Sequence, residues 1–248
     1  MNPKISIIVP VLNNLNGLKK TIKSIKNQSF KDFEVWVIDG NSNDETQEYL
    51  NGLNSPFFFH SEVDKGIYDA MNKGISLSKG EWLYFMGAED IFFDDNTLNE
   101  VFRKINLENC LLVSGRISYQ GVVNPFVYSK NKIIKNPSWS ALMWLRNGLH
   151  HQGTFYKKIL FIDEKYPLKF KTLSDYWFNL YLFKRKAKCK VIHKTIAKCT
   201  SDGVSKNGKW ELYKEEINLK TELSSRYFVP FFYFIALSKF LSRKIVND

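Results

Sequence analysis

Apolar positions follow two alternating patterns over the first hundred residues. Ile5-Ser6-Ile7-Ile8-Val9 is a β-branched run of the kind found in strands covered on both faces. Leu15, Leu18, Ile22 and Ile25 then recur at helical spacing and predict a helix over 15–27. The cycle repeats: a strand over 33–38 ending at Asp39-Gly40, a helix over 44–53 with Asp44 as its N-cap, and a short strand over 57–60. A helix over 67–77 stops before Lys79-Gly80, and a fourth strand over 82–86 runs into Gly87-Ala88-Glu89-Asp90. Strands and helices in alternation predict a parallel, doubly wound α/β sheet. In such sheets ligands bind beyond the carboxyl ends of the strands. Three of these ends carry polar or acidic residues: Asn13-Asn14, Asp39 and Glu89-Asp90.

Past residue 100 the pattern loosens. Strands are expected over 111–113 and 116–127, the second a hairpin about Gln120-Gly121, and over 154–156 and 190–199. Helices are expected over 138–146, 173–183 and 210–223, followed by an aromatic segment with a basic end over 228–245.

Composition narrows the classes. The chain has 248 residues, 44% apolar and 15% aromatic, enough for one large domain and too rich in core-formers for disorder. Cys110, Cys189 and Cys199 are an odd set without metal-type spacing, read as free thiols in a reducing compartment. No stretch approaches the roughly 20 apolar residues that span a bilayer, and no cleavable leader is visible, so a cytoplasmic protein is expected. The net charge of +11 is uneven: residues 1–100 hold 9 Lys/Arg against 15 Asp/Glu, whereas 101–248 hold 27 against 10. That split predicts an acidic site in the first part and an anionic partner for the second.

The chain has no G-x-G and no P-loop, so any nucleotide is held mainly by side chains and a metal. Asp39, directly after a buried strand, can accept from a base N–H or a ribose hydroxyl. A solvated turn beside a capping Asp44 would look the same. Asp69, Asn72 and Lys73 share one helix face, fit for a ribose and a diphosphate or for plain solvent. Glu89-Asp90 follows two tiny residues and suits a hard divalent cation that also takes phosphate oxygens, although charged loops of this kind are common. His150-His151-Gln152 offers ligands for phosphate, metal or acceptor, or a structural pair. Asp175 opens an aromatic helix, as a general base or as a carboxylate favoured by the helix dipole. Thr200-Ser201-Asp202-Gly203-Val204-Ser205, a Gly-containing loop after a basic strand, can fold over phosphates.

In order, Ile7-Ile8-Val9-Pro10-Val11-Leu12-Asn13, Asp39-Gly40-Asn41-Ser42-Asn43-Asp44, Asp64-Lys65-Gly66-Ile67-Tyr68-Asp69-Ala70-Met71-Asn72-Lys73-Gly74 and Glu89-Asp90 resemble the family 2 glycosyltransferases of the GT-A fold. The likeness is dense over about residues 4–95 and thinner through His151-Gln152 and Asp175 to Gly203-Val204-Ser205. It implies a Rossmann-like, mostly parallel sheet with a smaller acceptor-side region and C-terminal helices. It divides the chain into a catalytic domain over 1–224 and a C-terminal amphipathic segment over 225–248. Within the domain, 1–100 would bind the nucleotide-sugar and 101–224 the acceptor.

The resemblance further implies inverting transfer from a nucleotide-diphosphate sugar, UDP-linked in most relatives. Asp39 matches the acid that reads the base, and Pro10, Val11 and Asn13 the strand-end nucleotide contacts. Asp69 and Lys73 match positions near ribose and diphosphate, with Asp64, Lys65, Gly66 and Asn72 in the same donor-binding block. Ala88-Glu89-Asp90 matches the D-x-D motif, with Asp90 as ligand to Mn²⁺ or Mg²⁺; Ala88 replaces the first acid, which weakens a sugar or ribose contact more than the metal site. Asp175 matches the general base. His151 and Gln152 match the strand flanking the acceptor, and Ser205 belongs to the acceptor or diphosphate region.

The implied acceptor is a polyprenyl-diphosphate-linked saccharide of O-antigen, capsule or exopolysaccharide synthesis. The basic stretch 184–198 and the aromatic, basic segment 227–244 suit an anionic membrane surface, so the enzyme is expected as a peripheral protein on the inner face of the cell membrane. Packing of the last helix on the domain would use the same aromatics. Two other readings compete with this one. A sugar-nucleotide pyrophosphorylase would want a Gly-rich basic loop after the first strand, which Pro10-Val11-Leu12-Asn13-Asn14 is not. A nucleic-acid-binding module rests on charge alone, with no recognition motif.

Overall fold

The computed structural model describes residues 2–121, 132–200 and 208–247. Its first half follows the alternation: β1 (Ile5–Val11), α1 (Leu15–Lys26), β2 (Phe33–Asp39), α2 (Thr46–Asn51), β3 (Phe57–Ser61), α3 (Ile67–Leu77) and β4 (Trp82–Phe85). Next come β5 (Ile91–Phe92), the single turn α4 (Thr97–Asn99) with a π-helical continuation over Glu100–Lys104, β6 (Leu112–Gln120) and β7 (Ile134–Lys135). The remainder is β8 (Thr154–Lys157), α5 (Ser174–Lys184), β9 (Cys189–Thr200), α6 (Trp210–Leu223) and α7 (Val229–Asn247).

The strands form one sheet in the order β3-β2-β1-β4-β8-β6-β9-β5, with β7 on the side of β6. β3, β2, β1 and β4 are parallel, with Val11 opposite Asp39 and Asp39 opposite Ser61. β8 runs antiparallel between β4 and β6, and β9 is parallel to β6. Parallel strands joined by helices are covered on both faces, as the unbroken burial of β1 requires. Leu18, Ile22 and Ile25 of α1 pack on one face with Phe92, Leu98 and Val101. Met71 and Ile75 of α3 pack on the other, continuous with Tyr156, Phe161, Tyr166 and Phe178.

Several elements differ from expectation. The helix predicted over 44–53 begins at Thr46, because the Asp44 carboxylate accepts from Thr46 N two residues on and from Leu15 N across the loop. That local turn competes with a helical start. The helix predicted over 138–146 is only a 3-10 turn, Ala141–Trp144. The strand break expected near 114–115 is bridged: Gly115 lets the β9 backbone approach, with a Cβ there 2.5 Å from the Lys194 carbonyl oxygen, and the pairing register shifts at that point. His151-Gln152 lie in a 3-10 turn ahead of β8, not in the strand. The second arm of the hairpin predicted about Gln120-Gly121 falls outside the described residues.

α3 lies against β1 at Gly74, where a Cβ would overlap Ile8 Cγ2 and stand 3.3 Å from Ile38 Cγ1. Both isoleucines are fully buried. Gly74→Ala is therefore expected to destabilise the fold by about 1–3 kcal/mol despite alanine's better helix propensity. The check is a urea midpoint; an unchanged or higher midpoint would show that α3 can shift.

Candidate active site

The carboxyl ends of β1, β2 and β3 are laced together by side chains. Asn13, at φ 50°, donates its N–H to Ser42 Oγ and accepts from Asn43 N on its side-chain oxygen. The Asp39 carboxylate is fully buried, accepting from Ser42 N and Oγ, from Ser61 Oγ at 2.6 Å and from Gln47 Nε2. It is thus the hub that ties β2 to β3 and α2. Gly40 N donates to the Val11 carbonyl, holding the Pro10-Val11 end against the same loop. Asp64 lies over this loop, since a Cβ at Gly40 would come 2.9 Å from its Oδ2.

The turn into α3 is cationic at its centre and acidic around it. Gly66 has φ 114°, a conformation other residues rarely hold, and starts the helix. Asp69 accepts from Lys65 N at 2.9 Å, which closes the first turn. Lys73 Nζ reaches Asp64 at 2.7 Å, Glu62 at 2.9 Å and Asp69 at 3.5 Å. Burial pushes the ammonium down, but Asp64 and Glu62 outweigh it, so Lys73 stays protonated well past its usual range. Asn72 turns away from this cluster. Its amide accepts from Tyr166 N and donates to the Tyr166 carbonyl, joining α3 to the second half of the chain.

The loop after β4 is stapled to α1 by one hydroxyl. Thr21 Oγ1 donates to the Asp90 carbonyl at 2.8 Å and accepts from Glu89 N at 3.0 Å. Glu89 takes φ 91° in that loop, and Ala88 packs against the α1 core. The Asp90 side chain, only 4% exposed, turns inward, and its Oδ2 accepts from Gly87 N and from Gln152 Nε2, both at 2.9 Å. Burial raises the Asp90 carboxyl above its ordinary range, against the lowering effect of Gln152 and His151. The Gln152 carbonyl is fixed by the Tyr84 hydroxyl, while its Oε1 is buried without a hydrogen-bond partner among the described residues.

His151, the preceding residue, faces the other way. Its Nδ1 lies 3.5 Å from Asp175 Oδ2 on α5. Asn147 Nδ2 donates to the same oxygen at 3.2 Å, and the Tyr68 hydroxyl of α3 stands 3.0 Å from Oδ1. Asp175 is 13% exposed. Burial pushes its carboxyl up, but the His151 ring and then the Tyr68 hydroxyl more than offset this, so it is ionised at neutral pH. One dipeptide therefore touches two separate carboxylates, Gln152 on Asp90 and His151 on Asp175. A cavity of about 220 Å³ lined by Lys132, Lys135 and Arg146 shares Asn147 with Asp175.

The sequence model of Glycosyl transferase family 2 matches residues 6–189, which takes in every site residue above. The chain belongs to glycosyl transferase family 2. Among family relatives it is 34% identical over 197 residues to the PGL/p-HBAD biosynthesis glycosyltransferase of Mycobacterium bovis, covering 75% of this chain and 72% of that one. It is 33% identical over 121 residues to the GalNAc(5)-diNAcBac-PP-undecaprenol beta-1,3-glucosyltransferase of Campylobacter jejuni, covering 44% of this chain and 39% of that one.

Among solved structures, S. aureus TarS 1–349 with UDP-GlcNAc superposes with a TM-score of 0.68 at 18% identity, over 97% of this chain and 72% of that one. The full TarS chain is longer, and this chain covers 43% of it. The Pyrobaculum calidifontis mannosyltransferase PcManGT, with GDP-Man and Mn²⁺, gives 0.64 at 14% identity over 99% and 74%. The sheet is thus a GT-A fold, and the choice between transferase and pyrophosphorylase falls to the transferase.

In this family 2 chain the structure brings Pro10, Val11, Asn13, Asp39 and Asp64 together at the ends of β1 and β2, with Lys65, Gly66, Asp69 and Lys73 joined to Asp64 through the Lys73 cluster. Ala88, Glu89 and Asp90 follow β4, and the His151-Gln152 turn links Asp90 to Asp175. Asn72 stands apart because its amide is spent on Tyr166. Ser205 lies outside the described residues. Sequence reasoning passed over Tyr68, Asn147 and Thr21. Tyr68 had a signal, an aromatic hydroxyl inside the Asp64–Gly74 block. Asn147 and Thr21 had none, as each acts on a residue tens of positions away.

Proposed function

We propose that this family 2 enzyme moves a sugar, with inversion, from a UDP-linked donor to a lipid-diphosphate-linked glycan. The observation that carries the reading is the His151-Gln152 dipeptide, which holds an ionised Asp175 on one side and the buried Asp90 on the other. Inverting transfer needs one base on the acceptor and, apart from it, charge stabilisation for the departing diphosphate. A pair of carboxylates flanking one bond would suit hydrolysis instead. In this reading Asp175 takes the acceptor proton, Asp39 and the β1 end hold the nucleoside, and Lys73 with Asp69 lies towards ribose and diphosphate.

Asp90 is the residue that would hold a divalent cation. The open Gln152 Oε1 beside a buried carboxylate is a surrounding suited to positive charge. No group of three acids, histidines or cysteines is found among the described residues, so phosphate oxygens and water would complete the shell, as Mn²⁺ and Mg²⁺ accept. Such a cation would supply charge neutralisation for the leaving diphosphate. The mannosyltransferase neighbour binds Mn²⁺ with GDP-Man, and the Campylobacter relative is named for an undecaprenol-linked acceptor. The Lys132, Lys135 and Arg146 cavity beside Asn147 supports an acceptor that carries phosphate. A panel of nucleotide-sugars, scored by thermal shift and turnover with Mn²⁺, tests the reading: UDP-sugars should stabilise the protein and turn over. Stabilisation by no nucleotide-sugar would contradict it.

α7 supports a membrane-peripheral enzyme. One face docks, with Phe232, Ala236 and Phe240 on Trp210, Tyr213 and Ile217 of α6, and Lys239 Nζ 2.6 Å from Glu216. Lys220 joins the same Glu216, and burial pushes its ammonium down to about 8. The opposite face carries Phe231, Phe234, Leu241 and Ile245, all 49–77% exposed and on one stripe at helical spacing. Arg226 and Lys244 flank it. No helix among the described residues is long and apolar enough to cross a membrane. A stripe of this kind with basic flanks suits an anionic lipid surface. Phe231→Ser with Phe234→Ser is expected to weaken binding to phosphatidylserine liposomes at least tenfold, since each buried aromatic contributes about 1.5–3 kcal/mol. Equal liposome binding by the variant, or loss of a dimer in sedimentation, would assign the stripe to protein contact instead.

A further inference from the structure

The Tyr68 hydroxyl has one hydrogen and two acceptors. Its oxygen lies 2.8 Å from the Thr172 carbonyl and 3.0 Å from Asp175 Oδ1. A carbonyl only accepts, and so does an ionised carboxylate. With Asp175 ionised, the single hydrogen satisfies one of the two, and the charged oxygen is the stronger acceptor. With Asp175 protonated on Oδ1, both contacts are satisfied at once: Asp175 donates to the tyrosine oxygen, and the tyrosine donates to Thr172. The Thr172 carbonyl is a fixed target, because the N–H groups of Thr172 and Leu173 both donate to Glu215 Oε1 from α6, at 2.8 and 2.7 Å. The tyrosine ring is itself buried, 6% exposed and packed on Tyr166 at 5.4 Å.

We propose that Tyr68 is the positioning residue of the base, turning its hydroxyl hydrogen from Asp175 to the Thr172 carbonyl as Asp175 takes the acceptor's proton. The inference rests on the reading of Asp175 as that base. The acceptor O–H bond breaks as its oxygen bonds to the anomeric carbon, the proton passes to Asp175 Oδ1, and the sugar–phosphate bond breaks with its electron pair leaving on the diphosphate. Tyr68 gains and loses no proton; it exchanges one hydrogen-bond acceptor for another. The carboxyl stays anchored in both states, so its position does not change with its charge. Tyr68 is also one residue from Asp69 on α3, so the helix that carries this donor-side acid holds the base as well.

The other groups around Asp175 are His151 and Asn147 on Oδ2, Lys135 at longer range, the buried phenols of Tyr156 and Tyr166, and Glu215 behind Tyr68. His151 and Asn147 both meet Oδ2, whereas Tyr68 meets Oδ1. Removing the Tyr68 hydroxyl takes away a donor to the ionised form, which moves the acid limb of turnover to higher pH.

Tyr68→Phe keeps the ring and its packing. It is expected to bind UDP with Mn²⁺ as the wild type does, to lower kcat about 10- to 100-fold, and to raise the pH of the acid limb. Tyr68→3-fluorotyrosine makes the phenol a stronger donor and is expected to move that limb the opposite way, to lower pH. It keeps the test open if the Phe variant does not fold. Asp175→Asn is run beside them, all read as UDP released from UDP-sugar across a pH series. An inactive Asp175→Asn with wild-type kcat and acid limb in both Tyr68 variants would overturn the proposal and leave the base assignment standing. Full turnover by Asp175→Asn would overturn the base assignment, and the role of Tyr68 with it.

Discussion

Asp175→Asn is expected to bind UDP with near-normal affinity and to lose roughly 10²–10⁴-fold in transfer rate, the usual share of general-base catalysis. The carboxylate is reached by His151, Asn147 and Tyr68, and none of the strand-end residues assigned to the nucleotide touches it. Burial pushes its carboxyl up, and the His151 and then the Tyr68 contacts more than offset this. Asparagine retains the shape and one acceptor oxygen but cannot take a proton. The measurement pairs calorimetric UDP binding with initial rates on the same preparation. Full transfer would move the base elsewhere, and loss of UDP binding would mean that α5 reaches the donor.

Asp90→Asn is expected to abolish the part of UDP stabilisation that depends on a divalent cation. With UDP at about 100 times its Kd, the wild type should gain about 2.7 kcal/mol, a rise of roughly 5–10 °C in Tm for a chain of this length. EDTA should remove that gain from the wild type. In the variant the side-chain oxygen still accepts from Gly87 N and Gln152 Nε2, so the loop keeps its shape while the charge is lost. The same shift in variant and wild type, insensitive to EDTA, would take the metal away from Asp90.

The donor half was legible because its signals are local. A buried strand, a turn and a helix each announce themselves within a dozen residues, and the acids at the ends of β2 and β4 follow from that order. The fate of each acid was not legible in the same way. Asp39 ends β2 and Asp44 follows it, yet one is the buried hub that ties β2 to β3 and α2 and the other a half-buried turn former, a difference set by Ser61 and Gln47 on neighbouring elements. The second half was harder, since β8 inserts antiparallel between β4 and β6 and the His151-Gln152 turn acquires its meaning only from that insertion. Asp175 stood out as a lone acid on an aromatic helix, but its three partners come from α3, the 3-10 turn and the loop at 147. For α7 the composition left packing and membrane contact as rivals. In the structure one face packs, with Phe232, Ala236 and Phe240 inward, and the opposite face leaves Phe231 and Phe234 exposed.

The central claim is that an acceptor oxygen, deprotonated by Asp175, attacks from the side opposite a diphosphate lying towards Asp90. Its most direct test is the anomeric configuration of the new glycosidic linkage formed from an α-linked UDP-sugar, read by NMR as the coupling of its anomeric proton. The account predicts a β-linked product. An α-linked product would contradict it, because retention requires a nucleophile on the donor face and leaves Asp175 without the role assigned to it.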